Sequence, residues 1–498
     1  MKHLIISICL IFGSFTINAQ SEKEIVESTI TKSQIEGHIY FLADDLLKGR
    51  STGSAENKIA ASYLANTFRG YGVLPNPKTG NYYQEVNLQQ TSPPIQSSIS
   101  INHTEIKSFA ILKANEINFN GDAVFLGYGL EEDYKGIDVA NKIIIIKGGN
   151  SESQDARTAF GSRKEKKELA KKNDVLGIIE LINTNERTWG YIDHNFNGDR
   201  LTVEDETGSE KEKSNFVYTW VLDENDSLGD KITSKSTVPV VLKMSSETIT
   251  TVISQNVIGI VKGTDPKLKN EYIIYSAHYD HVGIGTPDKT GDTIYNGARD
   301  NAVGTTTVLS MAKNLAKYPT KRSALFILFT GEEKGLLGSE FYVENPIIPL
   351  EQMVYCFNSD NGGYNDTSLV TIIGLDRTTA SQNIKDAAIT FGLTAIDDPA
   401  PEQGLFDRSD NVHFAKKGIP APTFSMGFTS FDGEVTKYYH QPGDEANTLD
   451  YDYLLKFFQA YVLSGRNIAN DTMTPFWVIG DKYEEKGNEL YKINNVKN

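Results

Sequence analysis

The chain has 498 residues, 39% hydrophobic and 10% aromatic, and a formal net charge of −16. That length exceeds one ordinary domain and predicts at least two, while the apolar content is that of a globular protein with a sizeable core. The acidic balance argues against a nucleic-acid or anionic-membrane surface and fits a soluble, exported protein.

Lys2 and His3 precede an apolar run from Leu4 to Phe15 and then Thr16-Ile17-Asn18-Ala19-Gln20, the pattern of a secretory signal cleaved after Ala19. The run is too short to span a membrane, so a secreted or periplasmic location is expected, with no membrane span after signal removal. Removing residues 1–19 leaves Cys356 as the only cysteine, which excludes an intramolecular disulfide. The block Phe41-Leu42-Ala43-Asp44-Asp45-Leu46-Leu47-Lys48-Gly49-Arg50-Ser51-Thr52-Gly53-Ser54 follows, and Ser92-Pro93-Pro94-Ile95 reads as a turn.

From Ala110 to Val257 the texture becomes short and β-rich, with strand candidates at Ala123 to Gly129, Lys142 to Lys147, Val175 to Leu181 and Val238 to Leu242. A charged helical stretch runs from Arg163 to Lys172. Asn185 to Asp230 is polar and predicts long loops, which at that size point to a wall or lid.

Beyond it, Tyr272 to Tyr275, Ala324 to Phe329 and Met353 to Phe357 are continuous apolar runs, as expected of strands covered on both faces. Thr305 to Tyr318 carries Val308, Leu309, Met311, Ala312, Leu315 and Ala316 at helical spacing, with Pro319 as a stop. The polar residues that follow these elements are His278, Asp300, Glu332-Glu333 and Asp360. In open α/β sheets ligands gather beyond the carboxyl ends of the strands, so these groups are expected at one rim. A strand candidate at Ala421 to Phe428 leads on to Tyr438-Tyr439-His440-Gln441-Pro442-Gly443-Asp444, which can bring a second imidazole there. Singly each has a plain alternative: Asp300 as a helix cap, Glu332-Glu333 as a solvated first turn. Jointly they form an imidazole and carboxylate set suited to zinc.

These blocks, in this order, resemble the zinc peptidase family M28, which includes secreted aminopeptidases and glutamate carboxypeptidase. The resemblance rests on Phe41 to Ser54, Ser276 to Gly283, Asp300 to Gly304, Thr330 to Glu333 and Tyr438 to Asp444, and weakens after about residue 470. It implies an α/β fold: a three-layer α/β/α peptidase domain with a central, mostly parallel mixed sheet, plus a β-rich inserted protease-associated (PA) domain, to which Tyr134 to Lys142 is similar. The implied boundaries are 20–109 and 256–470 for the peptidase domain, 110–255 for the insertion and 471–498 for a tail.

The resemblance further implies that His278 and Asp360 hold one metal, Glu333 and His440 the other, and Asp300 bridges both. The expected cofactors are two Zn2+, with Co2+ or Mn2+ as substitutes. Two metals about 3.5 to 4 Å apart can polarise a scissile carbonyl, and three carboxylate ligands leave one formal positive charge over. Glu332 is implied as general base, Asp280 as the carboxylate that receives the other N–H of His278, Tyr439 as oxyanion donor and Arg408 as a substrate contact. His281 and His413 are expected to be structural. The family's usual Ser-Asp-His stands here as Ser409-Asp410-Asn411, so the surroundings of Arg408 depart from the pattern. Peptide or protein substrates are implied, with an aminopeptidase as the expected activity. A carboxypeptidase or dipeptidase is the alternative, and a non-catalytic binding protein on the same scaffold a distant one.

Overall fold

Side chains alternate across the strand Tyr272–His278, and in the computed structural model, which describes residues 20–204, 216–232 and 237–493, both of its faces are buried. Ile273, Tyr275 and Ala277 enter one apolar cluster with Phe326, Leu328, Tyr355 and Phe357. Tyr272 and Ile274 enter a second with Leu325, Ile327, Met353 and Cys356. A strand covered on both sides has no polar face, which explains the continuous apolar runs.

The chain divides into two compact units, one running to Val86 and resuming at Ser254, the other spanning Asn87–Ile253. In the first, the strands lie in the order Thr394–Asp397, Leu369–Ile373, Thr423–Met426, Met353–Ser359, Tyr272–His278, Ser323–Phe329 and Thr248–Val261. The central four are parallel: His278 stands opposite Phe329, Ser276 opposite Asn358 and Asn358 opposite Thr423. Helices Lys32–Leu42, Ala55–Tyr71, Gly304–Lys317 and Tyr451–Asn470 contribute to the first cluster, and Leu337–Glu344 and Asn411–Lys416 to the second. The arrangement is α/β/α around a mixed sheet. Local chemistry sets the limits of Ala55–Tyr71: Ser54 caps it by accepting from the Asn57 N–H, and Gly72 ends it in the left-handed region at φ 78°.

The second unit holds an eight-stranded sheet, in the order Thr104–Ile106, Ser97–Ile101, Thr237–Met244, Ile117–Phe125, Ile143–Lys147, Gly177–Ile182, Val217–Leu222 and Phe109–Lys113. Its start differs from the expected 110. Ser97–Ile101 pairs with Thr237–Met244, and Ile99 and Ile101 are buried with Val238, Val240 and Leu242, so residues 97–109 belong to this sheet. The described part of Asn185 to Asp230 is also not the expected set of loops, residues 205–215 lying outside the described residues. Asn185 caps a helix, Glu186–Asn197, whose Trp189, Ile192 and Phe196 pack with Trp220. Their helical spacing is diluted by polar neighbours, which hid it in the sequence.

In this unit Lys166 and Glu180 are fully buried and 2.5 Å apart. Trp220 donates to Glu180 at 2.7 Å, Tyr218 donates to it as well, and the Lys166 ammonium also donates to the Lys147 carbonyl at 3.0 Å. Burial raises the Glu180 carboxyl, and Lys166 is the largest opposing influence. Glu180→Ala strands a buried ammonium and is expected to destabilise the unit by about 3–5 kcal/mol, measured by urea unfolding; a loss under about 1 kcal/mol contradicts that account.

The expected signal peptide, 1–19, lies outside the described residues. Among those described, no helix is long and apolar enough to cross a membrane. Within the expected tail, Trp477 is buried and donates to the Gly418 carbonyl at 2.8 Å, and a helix spans Glu484–Leu490.

Candidate functional site

The parallel register brings three strand ends to one rim. His278 closes its strand, Glu332 and Glu333 follow Phe329 through a turn in which Gly331 has φ 71°, and Asp360 follows Ser359. Two side chains of the Asp300 loop and the helix after it bind this rim: the Thr305 hydroxyl donates to the His278 carbonyl at 2.7 Å and the Asn301 amide to the Ser359 carbonyl at 2.9 Å. At the start of the helix Gly304–Lys317 the Asn301 side-chain oxygen, not Asp300, accepts from the Gly304 N–H, at 2.9 Å. Asp300 is therefore free for another task. The loop carrying His440 is fastened by Asp444, which accepts from the Arg299 guanidinium at 3.0 Å and from the main-chain N–H groups of Arg299 and Asp300.

Asp300 lies between two imidazoles. Its Oδ1 is 3.2 Å from His278 Nε2, and its Oδ2 is 3.2 Å from His440 Nε2. On the first side Asp360 Oδ1 is also 3.2 Å from His278 Nε2; on the second, Glu333 Oε2 is 3.1 Å from His440 Nε2. Glu332 Oε2 stands 4.0 Å from His278 Nε2. The side chains of Glu332 and Glu333 are 11% and 6% exposed, which rules out a solvated first turn.

Burial alone would lower the His440 imidazole, but hydrogen bonds to Asp300 and Glu333 outweigh it and bring it up to about 10. At His278 burial is likewise outweighed, by Glu332, Asp360 and hydrogen bonds to Asp300 and Asp360. Burial raises the Glu332 carboxyl well above the usual range, with Asp360 and Glu333 adding to the effect against His278. So many buried carboxylates require positive charge beside them. Three groupings, His278 with Asp300 and Asp360, His278 with Glu332 and Glu333, and His281 with Asp300, Glu333 and His440, are each close enough to hold one metal ion. Their donors are imidazole nitrogen and carboxylate oxygen, which suit zinc, cobalt or manganese.

Tyr439 is half-buried and stacks on His440 with ring centroids 4.1 Å apart. Burial raises its phenol, with Asp300 and Glu333 adding to the shift, so it remains a proton-bearing donor. The exposed Arg408 donates to the Tyr439 hydroxyl at 3.4 Å. Both line a pocket with the carboxylates and with apolar Ile373, Leu405, Phe428, Phe431 and Val435.

Two details depart from the sequence expectations. His278 Nδ1 meets the main-chain carbonyl of Asp280 at 3.2 Å, while the Asp280 carboxylate is 3.8 Å away. That carboxylate accepts from the Thr52 hydroxyl at 2.8 Å and the Glu332 N–H at 3.2 Å, so its contacts tie the 278–281 loop to the turn that carries Glu332. His281, expected to be structural, has its Nδ1 2.7 Å from Glu333 Oε1 and belongs to one of the metal-compatible groups. The signal was present in the sequence, since His281 lies three residues from His278, but spacing alone does not tell which imidazole faces the rim. Asp410 is fully buried, and burial pushes its carboxyl up to about 7, against the influence of His278. His413 lies outside these groups, and burial lowers its imidazole to about 4.

Residues 256–463 match Peptidase family M28. Among curated proteins, the chain is 32% identical over 223 residues to Aminopeptidase YwaD of Bacillus subtilis (43% of this chain, 44% of that protein). It is 26% identical over 237 residues to Aminopeptidase Y of Saccharomyces cerevisiae (44% and 38%). The matches span less than half the length of these relatives. Among solved structures, an aminopeptidase from Aneurinibacillus sp. strain AM-1 superposes with a TM-score of 0.61 at 22% identity, over 90% of this chain and 96% of that one. A zinc aminopeptidase from Bacillus subtilis gives 0.50 at 21%, over 87% and 94%. At these identities the likeness is one of fold.

Proposed function

We propose that this chain, whose residues 256–463 carry the M28 peptidase signature, is a two-zinc exopeptidase that removes residues from the amino ends of peptides. The observation that carries this is Asp300, whose two carboxylate oxygens face two separate imidazole and carboxylate groups. His278 and Asp360 would hold one metal, Glu333 and His440 the other, with Asp300 shared; His281 would steady Glu333 through its far oxygen. When bound, such metals polarise the scissile carbonyl and lower the pKa of water.

The chain's own groups supply the proton transfers. Glu332, buried beside the cluster, takes the proton of the attacking water and returns it to the leaving amine. The Tyr439 hydroxyl donates to the carbonyl oxygen as it gains negative charge, and Arg408 keeps that hydroxyl oriented. The apolar wall of Ile373, Leu405, Phe428 and Phe431 excludes water from the substrate side chain. A carboxypeptidase or dipeptidase activity is the alternative, favoured by the Arg408 guanidinium in the pocket, a cation suited to a terminal carboxylate. The apolar run Leu4 to Phe15 supports a secreted or periplasmic setting, and the β-rich second unit is compatible with a PA-type insertion.

Incubation with a mixed peptide library, followed by mass spectrometry with and without a chelator, tests this. Loss of residues from amino ends, abolished by the chelator, is expected. Shortening from carboxyl ends selects the alternative, and no shortening with zinc present leaves a non-catalytic binding protein.

A further inference from the structure

Several cations are buried in this protein, and most face a carboxylate: Arg299 meets Asp444, Arg322 meets Glu271, Arg466 meets Glu22 and Lys166 meets Glu180. Arg50 differs. It is 1% exposed, and its hydrogen bonds go to main-chain carbonyls: from Nε to Tyr279 at 2.9 Å, from Nη1 to Asn296 at 2.6 Å and to Leu42, and from Nη2 to Gly297 at 3.1 Å.

The positions of those carbonyls give the arrangement its meaning. Tyr279 directly follows His278, while Asn296 and Gly297 precede Asp300 by four and three residues. One planar guanidinium thus spans the loop that carries His278 and His281 and the loop that carries Asp300. Burial lowers its guanidinium to about 10, against the opposing influence of the Asp280, Asp300, Asp444 and Glu333 carboxylates. Its backbone is specialised for the task, because Lys48, Gly49 and Arg50 have φ of 43°, 67° and 50°, three successive residues in the left-handed region. At Gly49 the turn presses on the short antiparallel strands Gly283–Ile284 and Ile294–Tyr295: a Cβ there would lie 2.4 Å from the Tyr295 carbonyl oxygen and 2.7 Å from that of Gly283. Lysine could supply the charge but not the rigid fork of donors.

We propose that Arg50 is a positioning residue for the metal site, holding the 278–281 loop and the 296–300 loop at the separation in which His278 and Asp300 can share a metal. This rests on the two-metal proposal for the same site. The test is a zinc titration of the chelator-stripped, full-length protein against a chromophoric competitor, run on the parent, Arg50→Lys, Arg50→Gln and a control, Arg322→Lys, with circular dichroism and thermal unfolding of each metal-free form. Two variants guard against one failing to fold. Arg50→Lys and Arg50→Gln are expected to bind zinc about 10- to 100-fold more weakly while keeping the parent's dichroism; at saturating zinc their kcat falls more than KM rises. Arg322→Lys, remote from the site, loses thermal stability with unchanged zinc affinity. A parent that binds no zinc overturns the two-metal proposal and this one with it. A parent that binds zinc, with a folded Arg50 variant that binds it as tightly, overturns the positioning role alone.

Discussion

Glu332→Gln is expected to retain the parent's metal content and lose turnover by about 10²- to 10⁴-fold, the range for removing a positioned general base, or roughly 3–5 kcal/mol of barrier. The substitution keeps the side chain's size and removes its ability to take a proton. Glu332 stands 4.0 Å from His278 Nε2, farther than Asp300 or Asp360, which approach the same nitrogen to 3.2 Å. It is thus placed beside the cluster rather than within its closest contacts. Elemental analysis with steady-state kinetics on a peptide amide checks the expectation. Near-normal turnover removes Glu332 as base, whereas loss of metal along with activity makes it a ligand instead.

Asp300→Ala is expected to weaken both metals together and abolish activity. Each Asp300 oxygen serves a different imidazole, so deleting one carboxylate removes a donor from both sides. It also leaves His278 and His440 without the anion they share. A helix-capping role predicts a different result, namely a modest stability loss with metals intact, but it is Asn301 that accepts from the first N–H of Gly304–Lys317. Inductively coupled plasma analysis of the purified variant decides: one metal retained at full occupancy contradicts bridging. Thermal unfolding in the presence of chelator provides the control for general damage to the fold.

The legible parts of this protein were those where local chemistry repeats a simple rule. Continuous apolar runs at Tyr272, Ala324 and Met353 identified the central strands because burial on both faces removes every polar position. The helix starting at Gly304 was visible from its apolar spacing and the proline after it. The helix Glu186–Asn197 was missed because three aromatic or aliphatic contacts among polar residues suffice when a neighbouring cluster, here around Trp220, completes the burial. The start of the second unit lies before the expected 110, in part because pairing between Ser97–Ile101 and Thr237–Met244 links segments over a hundred residues apart, and no local pattern encodes that partner.

The sequence by itself determined which chemistry the chain can perform: imidazoles and carboxylates placed after strands, with an adjacent Glu-Glu pair, since residue type and strand order are local properties. Only the tertiary structure decided how these groups divide. Parallel register sets His278, Glu332 and Asp360 side by side, and the Asp444 anchor on the Asp300 loop brings His440 opposite. It also turned His281 toward Glu333 and Asp280 toward Thr52, and laid Arg50 across two loops. Those choices depend on where a side chain points after distant segments have packed, and hydrogen bonds over more than two hundred residues, such as Arg50 to Tyr279, leave no periodic trace in the chain.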